Sequence, residues 1–160
     1  MAELQELLER VKAATGPDRK IDADIYNAII DDGGRIAFKV KDWSRQPGSR
    51  LSRWHDGWLT GKGETDGYAE ELERYTASLD AIVGLIEREL PGWIIDHIGA
   101  DALGQPAALK TIGWTAELWN GLCTVQGQSE ALPLALCAAF LAAKIAQSDP
   151  SKANAAGVPR

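Results

Sequence analysis

The chain is poor in the residues that would mark a disulfide scaffold or a histidine-rich metal centre, with two cysteines and two histidines among its 160 residues. Two thiols cannot build the multi-bridge framework of a small secreted domain. No apolar run approaches the roughly 20 residues that span a bilayer. The longest, Ala131 to Ala143, is alanine-rich, contains Pro133 and reads as a buried helix. No early segment has the basic, apolar and small-residue order of a secretory signal, so cytoplasmic residence without membrane association is the expectation. An excess of positive charge is lacking too. The net charge of -6 and pI near 4.9 exclude a surface that attracts nucleic acid or anionic lipid all over, while leaving room for a local basic face.

What is present is ordinary for a folded protein, with 45% hydrophobic and 25% charged residues, enough for one domain with its own core. Cys123 and Cys137 stand in apolar surroundings and read as buried thiols, a disulfide between them being the alternative. Leu4, Leu7, Leu8 and Val11 recur at helical spacing, and Gly16 and Pro17 end that helix. Asp18 or Asp22 can cap a second short helix carrying Ile21, Ile25, Ala28 and Ile29 up to the Asp31–Gly34 turn. Arg35 to Val40 alternates like an exposed strand, and the turn-rich stretch after it, QPGSRLSRWHDGWLTGKGETDG, reads as a long loop.

From Tyr75 the pattern is more regular. Ser78 is a candidate N-cap, Asp80 places negative charge in the first turn, and Leu79, Ile82, Val83, Ile86 and Leu90 form the stripe of an amphipathic helix stopped by Pro91 and Gly92. Trp93, Ile94, Ile95 and Ile98 then favour a strand against which that stripe can pack. ADALGQPAALK reads as a soft connection whose alanines can make one helical turn. Ile112 to Trp119 alternates again, with Ile112, Trp114, Ala116 and Leu118 on one face and the half-polar set Gly113, Thr115, Glu117 and Trp119 on the other. Gly121 and a Gly127-Gln128 turn bracket a third strand, Leu122 to Gln126, and the short gap before it requires an antiparallel neighbour. The last helix is expected to begin near Pro133 and end at Ser148–Pro150.

The whole predicts an α+β protein, a three-layer α/β/α sandwich around a mainly antiparallel sheet of three or four strands. Residues 1–147 form a single domain with a basic, tryptophan-rich insert at 35–74, and 148–160 form a frayed tail.

GPDRKIDADI at 16–25, YTASLDAIVGLI at 75–86, PGW at 91–93, GWTAEL at 113–118 and ALPLALCAAFLAA at 131–143 together resemble the phage ABA-sandwich family of small bacteriophage and prophage proteins. The likeness covers about the first thirty residues and Tyr75 to Lys144. It implies a fold of helices flanking a sheet and no common activity. The matching positions Tyr75, Ser78, Leu79, Asp80, Trp93, Trp114, Pro133 and Cys137 therefore inherit structural roles only. Residues 35–74 look longer and more basic than the corresponding stretch of typical members.

Chemical motifs are weak. His55-Asp56 and Asp96-His97 lack a metal-ligand spacing, and neither cysteine has a sequence signature of an activated nucleophile. There is no G-x-S-x-G elbow, and Gly57, Gly61 and Gly63 beside Lys62 match neither a dinucleotide fingerprint nor a P-loop. Asp31-Asp32 and Glu70-Glu71 read as solvated pairs. The expectation is a protein that is not an enzyme, with no catalytic, metal-binding or cofactor-binding residues and no cofactor.

Charge and aromatics converge elsewhere. Seven basic and two acidic residues between Arg35 and Lys62 make that segment +5, so the remainder carries -11 of a total of -6. Tryptophan and arginine are favoured at interface hot spots, so Trp43, Arg45, Arg50, Arg53, Trp54, Trp58 and Lys62 form the candidate partner-binding set. The expected function is that of a non-catalytic phage or prophage accessory protein binding a host or phage protein, in counter-defence or virion assembly. Nucleic acid is the alternative partner, since the same basic and aromatic residues can contact phosphates and stack on bases. The α-β-β-β-α order of 78–147 matches the gross order of a double-stranded-RNA-binding domain, yet its final helix offers only Lys144 as a cation. The structural alternative is that the tryptophans fold back onto the sheet. Self-association stays open through Trp119 and the apolar last helix.

Overall fold

The computed structural model describes the backbone of residues 2–29, 36–40, 56–60, 65–68, 73–103 and 110–148, and the side chains of 3–29, 73–101 and 113–148. The chain forms two compact units, one of Met1–Pro17 with Tyr75–Arg160 and the other of Asp18–Arg74.

The first unit contains α1 (Ala2–Ala13), α3 (Leu79–Glu89), β4 (Ile94–Leu103), β5 (Lys110–Trp119), β6 (Thr124–Ser129) and α4 (Leu132–Ser148). The second contains α2 (Arg19–Ile29), β1 (Ile36–Val40), β2 (Asp56–Thr60) and β3 (Thr65–Tyr68). The α+β expectation and an antiparallel three-stranded sheet are both present. In the first unit the order is β4-β5-β6 with both pairings antiparallel.

The centre of the first unit is α4. Leu134 through Leu141 and Ala143 are all buried, so the helix is apolar around its whole circumference, as a helix with neighbours on every side must be. It rests on β5 and β6, while α1 and α3 pack on it as well. Leu7, Leu8 and Val11 supply the contact stripe of α1, and Ile82, Leu85, Ile86 and Leu90 that of α3. Each fully buried leucine, isoleucine or phenylalanine contributes about 1.5–3 kcal/mol relative to exposure. The stripe of α3 is shifted from the expected one. Leu79 is 43% exposed and Leu85 takes its place in the core, because Leu79 opens the helix next to the cap.

Local chemistry sets the ends of α3. Ser78 Oγ accepts the Ala81 amide at 3.3 Å, as an N-cap does. Leu90, Pro91, Gly92 and Trp93 then form a type II turn, with the Trp93 amide donating to the Leu90 carbonyl at 3.0 Å. Proline suits the second position, and Gly92, at φ 85, occupies a backbone region that a side chain would strain. The turn swings the chain from α3 into β4. At this same end of α3 Lys144 Nζ donates to the Glu89 carbonyl at 3.4 Å, so the cation on α4 meets the negative end of α3.

Glycine has a different role at position 127. A Cβ there would collide with the Ala135 carbonyl oxygen and the Ala139 amide nitrogen, and would sit 2.9 Å from the Ala138 carbonyl carbon. The backbones of β6 and α4 therefore touch, and small residues on both elements permit it. This corrects the expected Gly127-Gln128 turn, since both residues are paired within β6, opposite Ala116 and Thr115.

Two further expectations change. The ADAL segment is not a helical turn: β4 continues to Leu103 because β5 extends back to Lys110 and supplies ladder partners. One bulge also redistributes the isoleucines of β4. Ile95 pairs with Leu118 and His97 with Glu117, which leaves Asp96 as the extra residue. Ile94 and Ile98 consequently fall on opposite faces and are 52% and 41% exposed, instead of sharing the contact with α3.

In the second unit Asp18 is the cap of α2, its Oδ1 accepting the Lys20 and Ile21 amides at 2.7 and 3.2 Å. Asp22 is fully buried and paired with Arg19 Nη1 at 2.8 Å. Helix α2 lies against β1, and β1-β2-β3 form a second antiparallel sheet. The expected loop over 46–67 thus contains two strands. Glycine and aspartate are poor strand formers, but DGWLT gains its hydrogen bonds from β1, a partner that no local pattern displays.

Replacing Gly127 by alanine is expected to lower the stability of the chain by about 1–3 kcal/mol or more, as overpacking does. Gly84, in the middle of α3 with nothing within 4 Å of an added methyl group, provides the opposite control. Gly84→Ala should raise stability by about 0.5–1 kcal/mol through helix propensity. Urea unfolding of the two variants beside the parent checks both signs.

Candidate partner-binding surface

Of the residues expected to bind a partner, Trp43, Arg45, Arg50, Arg53, Trp54 and Lys62 lie outside the described residues. Trp58 lies in β2, in register with Phe38 of β1, with Ile36 opposite Thr60 and Val40 opposite Asp56 on the same ladder. Two aromatic positions of the basic segment are thereby brought opposite one another across a sheet.

The chemical alternatives sort themselves by burial. Cys137 is fully buried and its thiol donates to the Tyr75 carbonyl at 3.4 Å, which holds it away from any substrate. Cys123 is half-buried in the β5–β6 hairpin, and both cysteines are free thiols, so the disulfide alternative is not formed. The hairpin itself is closed by Asn120, whose Oδ1 accepts the amides of Leu122 and Cys123 at 3.0 and 2.9 Å. Asp96 and His97 are both exposed on β4, while His55 lies outside the described residues. Among the described residues no group of three or more His, Cys, Asp or Glu could hold a metal ion.

Register divides the β4-β5-β6 sheet into two unlike faces. Ala116, Leu118 and Gly127 are buried on the face that carries α4. The outer face presents Ile94, His97, Gly99 and Asp101 from β4, Gly113, Thr115, Glu117 and Trp119 from β5, and Thr124, Gln126 and Gln128 from β6. Its polar side chains are cross-linked: Thr115 Oγ1 donates to Asp101 Oδ2 at 3.0 Å, Gln128 Nε2 reaches Thr115 Oγ1 at 3.4 Å, and Gln126 Nε2 donates to Glu117 Oε1. These bonds hold the side chains in one arrangement. At the hairpin end the face turns apolar, where Ile94 stands opposite Trp119 and Leu122 is 94% exposed.

Sequence reasoning reached half of this surface. Alternation along β5 placed Thr115, Glu117 and Trp119 together, but the contributions of β4 and β6 depend on register and on the Asp96 bulge. The last helix, by contrast, is buried from Leu134 to Leu141, where the first unit uses it as core.

Thiol reactivity separates the two cysteines. Cys123 is expected to react with a small disulfide reagent in the folded chain, and Cys137 only under denaturing conditions, giving one equivalent before denaturant and two after it. Two equivalents released at once in native buffer would contradict the burial of α4.

No helix among the described residues is long and apolar enough to cross a membrane. No family model, curated protein or solved structure matches the chain.

Proposed function

We propose that this chain is a non-catalytic accessory protein that captures a protein partner through the basic segment from Arg35 to Lys62. The observation that carries this reading is the pairing of β1 with β2. It gives the segment its own sheet framework and brings Phe38 and Trp58 into register. Aromatic residues paired across a sheet suit a hot-spot surface, and the positive charge of the segment suits an acidic partner. Trp43, Arg45, Arg50, Arg53, Trp54, Trp58 and Lys62 are the contact residues of this proposal, with the partner host- or phage-encoded and met in the cytoplasm. A counter-defence or virion-assembly role belongs to the same proposal and rests on the resemblance to phage ABA-sandwich proteins. So does the three-layer α/β/α arrangement, which the apolar patch of Ile94 and Trp119 supports by leaving part of the outer sheet face fit for a further layer.

The test is capture of partners from host-cell extract by the full chain, with nucleic acid digested in one arm and retained in the other. Comparison is with Trp54→Ala/Trp58→Ala, whose folding is followed by circular dichroism. A protein retained after digestion and weakened by about tenfold or more in the folded variant is the expected result. Retention only while nucleic acid is present would transfer the segment to nucleic-acid binding, and undiminished capture by the folded variant would remove it from the interface.

A further inference from the structure

The free edge of β4 carries a pattern that complements itself. Among the described residues β4 has one strand neighbour, β5, and its opposite edge is unpaired. Exposed edges are normally protected by lysine, proline, bulges or brevity. Ten-residue β4 has neither lysine nor proline; of the two register shifts against β5, the one at Ile95/His97 places its extra residue, Asp96, on β4, and the one at Asp101/Ala102 places its extra residue, Ile112, on β5. Beyond Asp96 β4 is uninterrupted and begins with the window His97-Ile98-Gly99-Ala100-Asp101, in which His97, Ile98, Ala100 and Asp101 are exposed.

We propose that a second copy of this chain pairs antiparallel with this window, two-fold about Gly99, joining two three-stranded sheets into one of six strands. In that register His97 of each strand stands directly opposite Asp101 of the other, and Ile98 opposite Ala100. Within one strand His97 and Asp101 are four residues and about 13 Å apart at their Cα atoms. Across the dyad they are nearest neighbours on the outer face, with Cβ atoms about 5 Å apart.

The surroundings agree with this occupant. Thr115 Oγ1 holds Asp101 Oδ2 at 3.0 Å and leaves the other carboxylate oxygen to accept the imidazole N–H. His97 Nε2 lies over Gly99, where an added Cβ would approach it to 2.7 Å, so glycine at the dyad leaves space for both imidazoles. On the other face the exposed Ile98 gains the facing alanine as cover. A shift of the dyad to Ile98 or Ala100 separates both His97–Asp101 pairs and selects against those registers.

Sedimentation equilibrium of the full chain, up to about 1 mM, tests the pairing because that is the weak end of specific association. The parent is expected to show a reversible monomer–dimer equilibrium. His97→Asp sets carboxylate against carboxylate and Asp101→His sets imidazole against imidazole, so each should weaken the dimer by about tenfold. The double variant His97→Asp/Asp101→His restores opposite partners and should recover most of the loss, although Thr115 loses its carboxylate. Both positions are exposed, and circular dichroism verifies that the variants remain folded. A parent that stays monomeric throughout, single variants that dimerise like the parent, or a double variant no better than the singles would each overturn the proposal.

Discussion

The absence of a side chain at Gly127 lets α4 lie with its backbone directly on β6, and the rest of the first unit follows from that approach. Ala135, Ala138 and Ala139 meet the glycine from the helix side, so the layer spacing there is set by main chain. A helix drawn so close leaves Ala116 and Leu118 of β5 covered, and its other flanks free to receive α1 and α3. The alanine-rich composition of α4 has a direct use here, since small residues permit close packing where bulky ones would hold the layers apart.

That one-sided cover shapes the chemistry of the sheet. The face under α4 has buried small and aliphatic residues, whereas the outer face is knitted by Thr115, Asp101, Gln128, Glu117 and Gln126. Such cross-strand bonds are individually modest beside burial, but they limit the arrangements open to each polar group. Strand β4 has exposed residues on both faces, and it is there that a self-complementary sequence meets an edge with no strand neighbour among the described residues. The bulge at Asp96 bounds that match on one side, and the pairing of His97 with Asp101 selects one register.

The second unit is held together on a smaller scale. A buried Asp22 paired with Arg19 anchors α2, whose N-terminus is capped by the Asp18 carboxylate, and the helix lies on the first strand of a small sheet. Glycine and aspartate make up a larger share of its strands than of the strands of the first unit, and the ladder between β1 and β2 provides the hydrogen bonds that composition alone does not. The basic and aromatic residues proposed to bind a partner are interleaved with this ladder in sequence, which connects the composition of the segment to its framework through Phe38 and Trp58.

Local signals in the amino-acid order determined much of this protein. Ser78 acts as the cap, Leu90-Pro91-Gly92-Trp93 as the turn, Leu7, Leu8 and Val11 as a core stripe, and the alternation of β5 as two distinct faces, because each depends on residues within a few positions. The α+β character and the antiparallel order followed from the same short-range reasoning. Only tertiary structure decided that Gly127 belongs within a strand and against a helix, that one extra residue at Asp96 sends Ile94 and Ile98 to opposite faces, and that DGWLT pairs with β1. Those outcomes depend on partners distant in the chain, and backbone hydrogen bonds and close contacts made at long range can overrule the preference of any single residue.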